Sequence, residues 1–491
     1  MAGVRSAASA APFHRPDAAA AKTRRLNRAA SSKSHAPVWT LVMSVAASSL
    51  SFIDGSVLNV ALPAIRQSLD ASAAEVQWIV NGYTLPLAAL ILLGGALGDH
   101  QGRRRWLIIG TAVFGVASLI CAISRSLELL LVGRALQGVG AALLLPNSLA
   151  LLNSAYSGEA RGRAVGIWAA SGAIGAAIAP LIGGWLVDNV GWESIFYINL
   201  PFVAAAIAIA LTHVGEVKNP RKTPIDGLGA ALATLGLGAL IYGLTLWSSQ
   251  RDLSPTAALA SVAGIVLLGV FLLVERRSSD NAMIPLRYFS DPCFSSLNMM
   301  TFLLYGAFGS ALLLLPYVLI AAGGYSPVQA GLAMLPLPIL ISVASPIMGK
   351  LASRIGPRWP LTLGPVIVAA GFLLGTRIAV DQSYWTHVFP AVVVLSSGMA
   401  LAVAPLTSTV LVSVDAEHTG MVSGFNSALS RAGGLFGVAL LGAVLASTGK
   451  ALLGPFAVAL VICAIVAALA GVAAFIGLRD FSPKKGERVA A

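Results

Sequence analysis

The sequence predicts an all-α integral membrane protein in which two related six-helix bundles flank two additional helices. Hydrophobic residues make up 57% of the 491 residues and charged residues only 11%, against roughly 25% charged residues in soluble domains. Fourteen apolar stretches approach or exceed the length of about 20 residues that a spanning helix needs. The segment Gly95–Arg105 returns in weaker form at Gly349–Arg358, 254 residues later, which indicates an internal duplication.

The predicted helices, numbered one to fourteen, cover residues 39–61, 76–98, 106–123, 128–152, 164–187, 195–213, 227–247, 256–274, 294–320, 327–349, 359–377, 386–411, 422–447 and 453–477. We therefore expect a basic disordered tail at 1–37, a first bundle at 38–213, a linker with two extra helices at 214–292, a second bundle at 293–478 and a tail at 479–491. Helices seven and eight match neither bundle, so they are predicted to be an insertion.

The basic residues predict the orientation in the membrane. If the N-terminus is cytoplasmic, the cytoplasmic segments hold 25 Lys and Arg and the opposite side holds five. Because cytoplasmic loops are enriched in these residues, both termini are expected in the cytoplasm. This distribution, rather than nucleic-acid binding, accounts for the net charge of +12. A basic tail lying on anionic lipid is the simplest account of the N-terminus, with an organelle transit peptide as the alternative.

The sequence predicts no catalytic residue, no metal and no cofactor. Its three cysteines are far apart, its six histidines form no ligand pair at helical spacing, and no Walker-type loop is present. A polytopic enzyme would need a clustered nucleophile, base or metal set. A sensor would usually carry a soluble output domain, and no loop here is long enough for one.

Two charged residues interrupt apolar helices of the first half and have no twin in the second half. Asp54 lies in the first helix and Arg134 in the fourth. A carboxylate within a membrane is costly to keep charged, so Asp54 is a candidate for binding and releasing protons. The alternative is an aspartate near a helix end that simply meets water. Arg134 would act electrostatically or pair with backbone carbonyls, and Gln137 shares its helix face.

Small residues form a stripe along the fifth helix. Gly172, Gly175, Ala176, Ala179 and Gly183 follow i, i+3, i+4, i+7, i+11 spacing, which lets a helix approach a neighbour closely. Pro180 can bend this helix, and Gly184 follows the stripe. A static packing face without a role in gating is the alternative.

The segment after the second helix contains Gly95 and Gly102, seven residues apart. This spacing suits a tight turn with Arg103 and Arg104 held in water just beyond it. Asp99 lies beside a helix start, where backbone N–H groups stabilise a carboxylate. These charges could set the topology alone or take part in gating.

Four motifs together resemble the major facilitator superfamily. Gly95–Arg105 resembles its signature between helices two and three, and Leu130–Ala142 its helix-four motif. Gly172–Gly184 resembles the antiporter motif of helix five, and Ile53–Pro63 the first-helix signature of drug:proton antiporters. With fourteen helices, the chain looks similar to the EmrB/QacA-like branch. Ala179 and Ser56 depart from the usual glycine and threonine of two motifs.

The resemblance implies a major facilitator fold and proton-coupled multidrug efflux by alternating access, with lipophilic and often cationic cargo. A dedicated proton-coupled exporter of an endogenous metabolite or lipid is the alternative. The resemblance also implies a multi-pass protein of the cytoplasmic (inner) membrane whose partners are a small-molecule substrate, protons and the lipid bilayer. In a Gram-negative cell, a periplasmic adaptor and an outer-membrane channel would join them.

The resemblance assigns roles to the residues introduced above. Asp54 and Arg134 would couple protons, Asp99 and Arg103 would hold the two halves together in the outward-facing state, and the helix-five motif would seal the cytoplasmic side. The candidate cavity residues are Trp78, Tyr83, Gln137, Asn426 and Arg431. Membrane-interface anchoring is an equal account of Trp78. Asn426 belongs to a small polar stripe that favours helix contact, and Arg431 could line the cavity or bind carbonyls.

Overall fold

A computed structural model describes residues 37–218, 226–250, 254–278, 286–379, 383–414 and 419–479. All regular secondary structure in these ranges is helical, and thirteen helices are long and apolar enough to cross a membrane. The all-α membrane fold predicted from the sequence is confirmed. Residues 1–36 and 480–491 of the predicted tails, and parts of the predicted linker, lie outside the described residues.

Fourteen long helical segments follow the order of the predicted helices and are numbered in the same way. The first bundle comprises α1 Pro37–Ser68, α2 Ala73–Gln101, α3 Arg103–Ala122, α4 Leu127–Ala155, α5 Gly158–Asn189 and α6 Ser194–His213. The additional pair is α7 Gly227–Gln250 and α8 Pro255–Ser278. The second bundle comprises α9 Pro292–Ala321, α10 Pro327–Ile355, α11 Arg358–Gly375, α12 Tyr384–Val412, α13 Thr419–Ala439 and α14 Gly449–Gly477.

The thirteenth predicted helix, at 422–447, needs correction. Helix α13 ends at Ala439, a short helix Gly442–Leu445 follows, and α13 is not among the thirteen apolar spans. Arg431 and several small polar residues make it too polar to qualify. The break is capped by α7, because Ser248 Oγ donates to the Ala439 carbonyl at 2.5 Å and accepts from the Gly442 N–H at 3.2 Å. The inserted helix therefore stabilises an interruption in the second bundle.

The predicted tight turn after the second helix is shorter than expected. Helix α2 continues to Gln101, and Gly102, at φ 125°, is the single residue between α2 and α3. A left-handed φ favours glycine because it has no Cβ. Gly95 therefore lies inside α2, and Arg103 and Arg104 form the first turn of α3 rather than a loop. Gly356, at φ 86°, ends α10 in the same way, so the repeat preserves the turn.

Successive helices run in opposite directions, so α1 begins and α14 ends at one side of the molecule, called here the termini end. The opposite side, the far end, carries the α1–α2 and α9–α10 connections. The two bundles meet at the far end through α1 with α9 and α5 with α10, and along α2 with α13. Helix α7 packs against α8 and α2 and also contacts α13, so it covers the seam between the bundles on that flank.

Candidate functional site

Asp54 and Arg134 form a fully buried ion pair in the first bundle. The Arg134 Nη1 atom lies 2.6 Å from Asp54 Oδ2, and the side chains are 1% and 0% exposed. Asp54 comes from α1 and Arg134 from α4, two helices that pack together. Removing two charges from water costs several kcal/mol per ion unless close geometry and further hydrogen bonds compensate. The remaining contacts of the pair supply that compensation.

Gln137 connects both members of the ion pair. It lies one turn after Arg134, and its Nε2 donates to Asp54 Oδ1 at 3.1 Å and to Ser118 Oγ at 2.8 Å. Its Oε1 accepts from Arg134 Nη1 at 2.7 Å. Asn199 Nδ2 donates to Ser118 Oγ at 3.3 Å, which ties α6 to the network. Asp54, Arg134 and Gln137 are called here the ion-pair cluster.

Helix α2 holds the other side of the Arg134 guanidinium. Arg134 Nε donates to the Ile79 carbonyl at 3.1 Å, and the guanidinium carbon lies 4.6 Å from the centroid of the Tyr83 ring. A cation above an aromatic face is attracted by the ring quadrupole, more strongly when water is absent. The Tyr83 hydroxyl is in turn hydrogen-bonded to Ser51 Oγ at 2.5 Å. Arg134 thus keeps several partners that do not depend on the charge of Asp54.

This arrangement can respond chemically to one proton. Both oxygens of the Asp54 carboxylate accept hydrogen bonds, so a proton on Asp54 removes the attraction to Arg134 and at least one of these bonds. Sequence reasoning identified Asp54, Arg134, Gln137 and Tyr83, which the structure brings together. It missed Ser118 and Asn199, whose only signal was that each is an isolated polar residue within an apolar stretch.

The charged residues at the α2–α3 turn contact one another within the first bundle. Arg103 Nη2 lies 2.8 Å from Asp99 Oδ1, and Arg103 Nη1 donates to the Ala150 carbonyl of α4 at 3.2 Å. Glu216, which sequence reasoning missed, accepts from the backbone N–H groups of Arg104 and Arg105 at 3.0 Å each. In this conformation Arg103 ties α2 to α4, and the contact between the two halves that the resemblance implies for the outward-facing state stays a prediction.

Gly94 and Gly98, rather than Gly95, mark the close approach of α2 to α4. A Cβ atom at Gly98 would lie 2.6 Å from Cγ of Asn147 on α4. Asn147 Nδ2 donates to the Gly94 carbonyl at 3.0 Å, which fixes the amide in that position. A Cβ at Gly95 would meet only Pro146, at 3.6 Å, which is ordinary contact.

The small residues of α5 face two partners. Gly172, Gly175 and Gly183 pack against Phe52, Ile53 and Val57 of α1 in the same bundle. Pro180 and Gly184 instead meet the first turns of α10 in the other bundle, where a Cβ at Gly184 would lie 2.6 Å from the Pro327 carbonyl. This contact is at the far end, and the seal at the cytoplasmic side that the resemblance implies for one state stays a prediction.

The remaining cavity candidates lie on several surfaces. Trp78 packs beside Tyr242 of α7, with ring centroids 6.1 Å apart. Asn426 Oδ1 accepts from Thr301 Oγ1 of α9 at 2.8 Å, on the face of α13 where Gly433 also contacts α9. Arg431 lies on a different face of α13.

An apolar cavity of about 700 Å³ between α7, α9, α13 and α14 is lined by Trp247, Phe302 and Phe436, among others.

Three buried polar side chains between α2 and α7 have no hydrogen-bond partner among the described residues. Gln77, Asn81 and Thr245 are each 0% exposed. Leu85 of α2 and Ile241 of α7 share a core cluster, which places Asn81 and Thr245 at the same level of the antiparallel pair. Buried polar groups are almost always paired, so these three side chains are exceptions among the described residues.

Sequence comparison matches this chain to one protein family and to proteins named for drug resistance and export. The sequence profile of the Major Facilitator Superfamily matches residues 45–289 and 297–490. The multidrug resistance protein Stp of Mycobacterium tuberculosis is 35% identical over 412 residues, 82% of this chain and 75% of Stp. The tetracenomycin C resistance and export protein of Streptomyces glaucescens is 33% identical over 423 residues, 83% of this chain and 76% of that protein.

A solved structure supports the fold independently. A bacterial homologue of the human drug peptide transporters superposes with a TM-score of 0.65, covering 91% of this chain and 98% of that chain. Its sequence identity is only 16%, so this similarity concerns the architecture alone. The two-bundle arrangement described above is therefore one that known transporters adopt.

Proposed function

Because the chain belongs to the Major Facilitator Superfamily, we propose that it exports lipophilic drug-like compounds across the cytoplasmic membrane in exchange for protons. The observation that carries the proton coupling is the ion-pair cluster, in which Asp54 is fully buried against Arg134. The relatives named for multidrug resistance and for tetracenomycin C export support the direction of transport and the drug-like cargo.

A proton on Asp54 would switch the cluster between two arrangements. The ionised carboxylate holds Arg134 and Gln137 and so ties α1 to α4. The protonated form no longer attracts the guanidinium, which then rests on the Ile79 carbonyl, Gln137 and the Tyr83 ring. Helix α1 also contacts α9 of the second bundle. A change in how α1 is held can therefore reach the interface between the bundles.

Transport would proceed by alternating access, with the bundles rocking about a site near the midplane. If the termini are cytoplasmic, the contacts of α1 with α9 and of α5 with α10 close the outer side in this structure. One proton entering down a potential of 100 mV supplies about 2.3 kcal/mol. Even one proton per cycle could therefore concentrate a cargo outside the cell.

A cationic cargo would need an available carboxylate. Asp54 becomes available only after Arg134 releases it, so binding of a cation and binding of a proton would compete at this residue. A dedicated exporter of one compound is the second candidate. It is supported by the relative whose name mentions a single compound, tetracenomycin C. In a Gram-negative cell, a periplasmic adaptor and an outer-membrane channel would extend either pathway.

Dye transport in vesicles tests proton coupling. Efflux of a basic dye, Hoechst 33342, and of an acidic dye, fluorescein, is measured under an imposed pH gradient. The dye that the native chain exports is then compared between the native chain and Asp54→Asn. The variant should bind the dye but lose most gradient-driven efflux, because an amide cannot take up the proton. Asp70→Asn is the matched control, since Asp70 is exposed at φ 48°, a conformation that asparagine tolerates. Thermal melting of the purified variants separates lost coupling from lost folding, and native-like gradient-driven efflux by Asp54→Asn would rule out this role.

Growth tests distinguish the two cargo hypotheses. Cells producing the native chain are challenged with a panel of chemically unrelated toxic compounds, and cells producing Asp54→Asn provide the background. Multidrug export predicts resistance to several unrelated compounds. Resistance to one compound only, or to none while transport of a native metabolite persists, supports the dedicated exporter.

A further inference from the structure

Arg431 is a guanidinium at the interface between the bundles with no counter-ion among the described residues. Among the described residues, Arg431 forms no ion pair, and its guanidinium makes no hydrogen bond. It is partly buried near the middle of α13. An intramembrane arginine is costly to retain and ordinarily has a partner, so the missing partner requires an explanation.

Contacts along α13 establish which face carries Arg431. Gly424 approaches Leu92 of α2, with a Cβ expected 2.5 Å from Leu92 Cδ2. Ala428 packs on the core cluster of the first bundle that contains Tyr83, and Leu435 packs with Leu85. Positions 424, 428, 431 and 435 follow i, i+4, i+7, i+11 spacing, so they share one face. Arg431 therefore points across the seam toward the first bundle.

The charges near the seam do not balance. Tyr83 lies within electrostatic range of Asp54, Arg134 and Arg431, which makes one carboxylate against two guanidinium groups. Arg134 already neutralises Asp54 at 2.6 Å. Among these described groups near Tyr83, one positive charge is therefore left without a counter-ion, and it belongs to Arg431.

We propose that Arg431 binds the acidic group of the cargo, and that the transporter favours lipophilic compounds carrying a carboxylate or phenolate. This inference rests on the proposed export function and specifies its substrate class. The planar guanidinium offers paired donors that match a carboxylate. Partly buried apolar side chains on the same face, Ala428 of α13 and Leu92 of α2, provide contact for the lipophilic body. A lipophilic cation meets the same charge with repulsion.

An anionic cargo also suits the direction of the membrane potential. Outward movement of an anion and inward movement of a proton both carry charge in the sense that a negative cytoplasm favours. With a cationic cargo, the two movements would oppose each other across the same potential. Arg431 would thereby select cargo for which the potential assists both steps of the exchange.

Equilibrium binding of two related dyes tests the proposal. Fluorescein and rhodamine 6G share a xanthene ring, but at mildly alkaline pH the first is anionic and the second cationic. Binding to the purified full chain in detergent is measured by fluorescence anisotropy. The native chain should bind fluorescein about tenfold or more tightly than rhodamine 6G, as expected for a hydrogen bond between charged groups. Arg431→Gln should lose this preference, and Arg431→Lys should retain most of it.

Arg377→Gln is the matched control, because Arg377 is exposed in the connection after α11 and the variant changes net charge equally. Equal weakening of both dyes by Arg431→Gln, with an unchanged melting temperature, would show a packing role and overturn the proposal. A native preference for rhodamine 6G would overturn it as well. Since no gradient is applied, failure of proton coupling leaves this result intact, and intact coupling without anion preference rejects only the assignment of Arg431.

Discussion

Arg66 of α1 and Tyr317 of α9 join the two bundles at the far end, where Arg66 Nη1 donates to the Tyr317 hydroxyl at 2.5 Å. The same nitrogen donates to the Leu445 carbonyl at 2.7 Å. Leu445 belongs to the short helix that follows the break after α13. One guanidinium at the end of α1 thus holds two separate parts of the second bundle, and these contacts favour closure of the far end.

Tyr317→Phe should shift the protein toward conformations with an open far end. Phenylalanine preserves the packing but removes a hydrogen bond to a charged group, worth about 1.5 to 3 kcal/mol. Because Arg66 keeps its bond to Leu445, we expect the lower part of this range, roughly a tenfold change in population. Spin labels at Ser68→Cys and Thr448→Cys, both exposed at the far end, report the distance between the bundles. Cys293 is replaced first, whereas Cys121 and Cys463 are buried.

Tyr325→Phe is the control for this measurement. Tyr325 lies at the same end, but its hydroxyl has no hydrogen bond to the first bundle among the described residues, so its loss should leave the distance distribution unchanged. Identical distributions for Tyr317→Phe and the native chain would mean that the Arg66 contact does not influence the closure of the far end.

Gly98→Ala should destabilise the protein far more than Gly95→Ala. The added methyl group at Gly98 would collide with the Asn147 amide, whose Nδ2 is held by the Gly94 and Leu143 carbonyls. Overpacking of this kind costs about 1 to 3 kcal/mol. At Gly95 the methyl group meets ordinary contact, and alanine is the better helix former by about 1 kcal/mol. Thermal melting in detergent measures both variants, and equal melting temperatures would contradict the α2–α4 packing described here.

The glycines show how far the sequence could predict this fold. Glycine spacing correctly located the turn at Gly102 and its counterpart Gly356, because a left-handed residue follows each helix. Glycine spacing wrongly placed Gly95 in the turn, whereas Gly95 lies inside α2. The sequence alone does not distinguish a helical glycine that packs closely against a neighbour from one that does not. Only the partner helix, with Asn147 at the contact, distinguishes Gly98 from Gly95.

The candidate site was predictable where charge stands out against an apolar background. Asp54 and Arg134 are conspicuous for that reason, and Gln137 follows from helical spacing. Glu216 was not predictable, because its contact with the N–H groups at the start of α3 joins residues more than a hundred positions apart. The cap on α13 by Ser248 likewise depends on where an inserted helix packs, which no local pattern specifies.

Ser248→Ala should destabilise the break between α13 and the short helix that follows. The Ser248 hydroxyl donates to the Ala439 carbonyl and accepts from the Gly442 N–H. A capping group of this kind stabilises a helix end by about 1 kcal/mol. The matched control is Ser249→Ala, because among the described residues Ser249 Oγ bonds only to the Leu246 carbonyl of its own helix, at 3.1 Å. Thermal melting should separate the two variants. Equal losses would indicate that the break does not depend on α7.

Gly184→Ala should hinder closure of the far end from the α5 side. Its Cβ would lie 2.6 Å from the Pro327 carbonyl carbon and oxygen, and backbone cannot move aside as a flexible side chain can. The bundles should therefore separate at this point, at a cost of about 1 to 3 kcal/mol to the closed state. Gly175→Ala provides the comparison on the same helix, because its nearest neighbour, Ile53 Cγ1, would be 3.5 Å away. The spin-label pair at Ser68 and Thr448 should report a longer distance for Gly184→Ala alone. If both variants retain the native distance, the contact of α5 with α10 does not limit closure, and the role of this segment lies in its packing on α1.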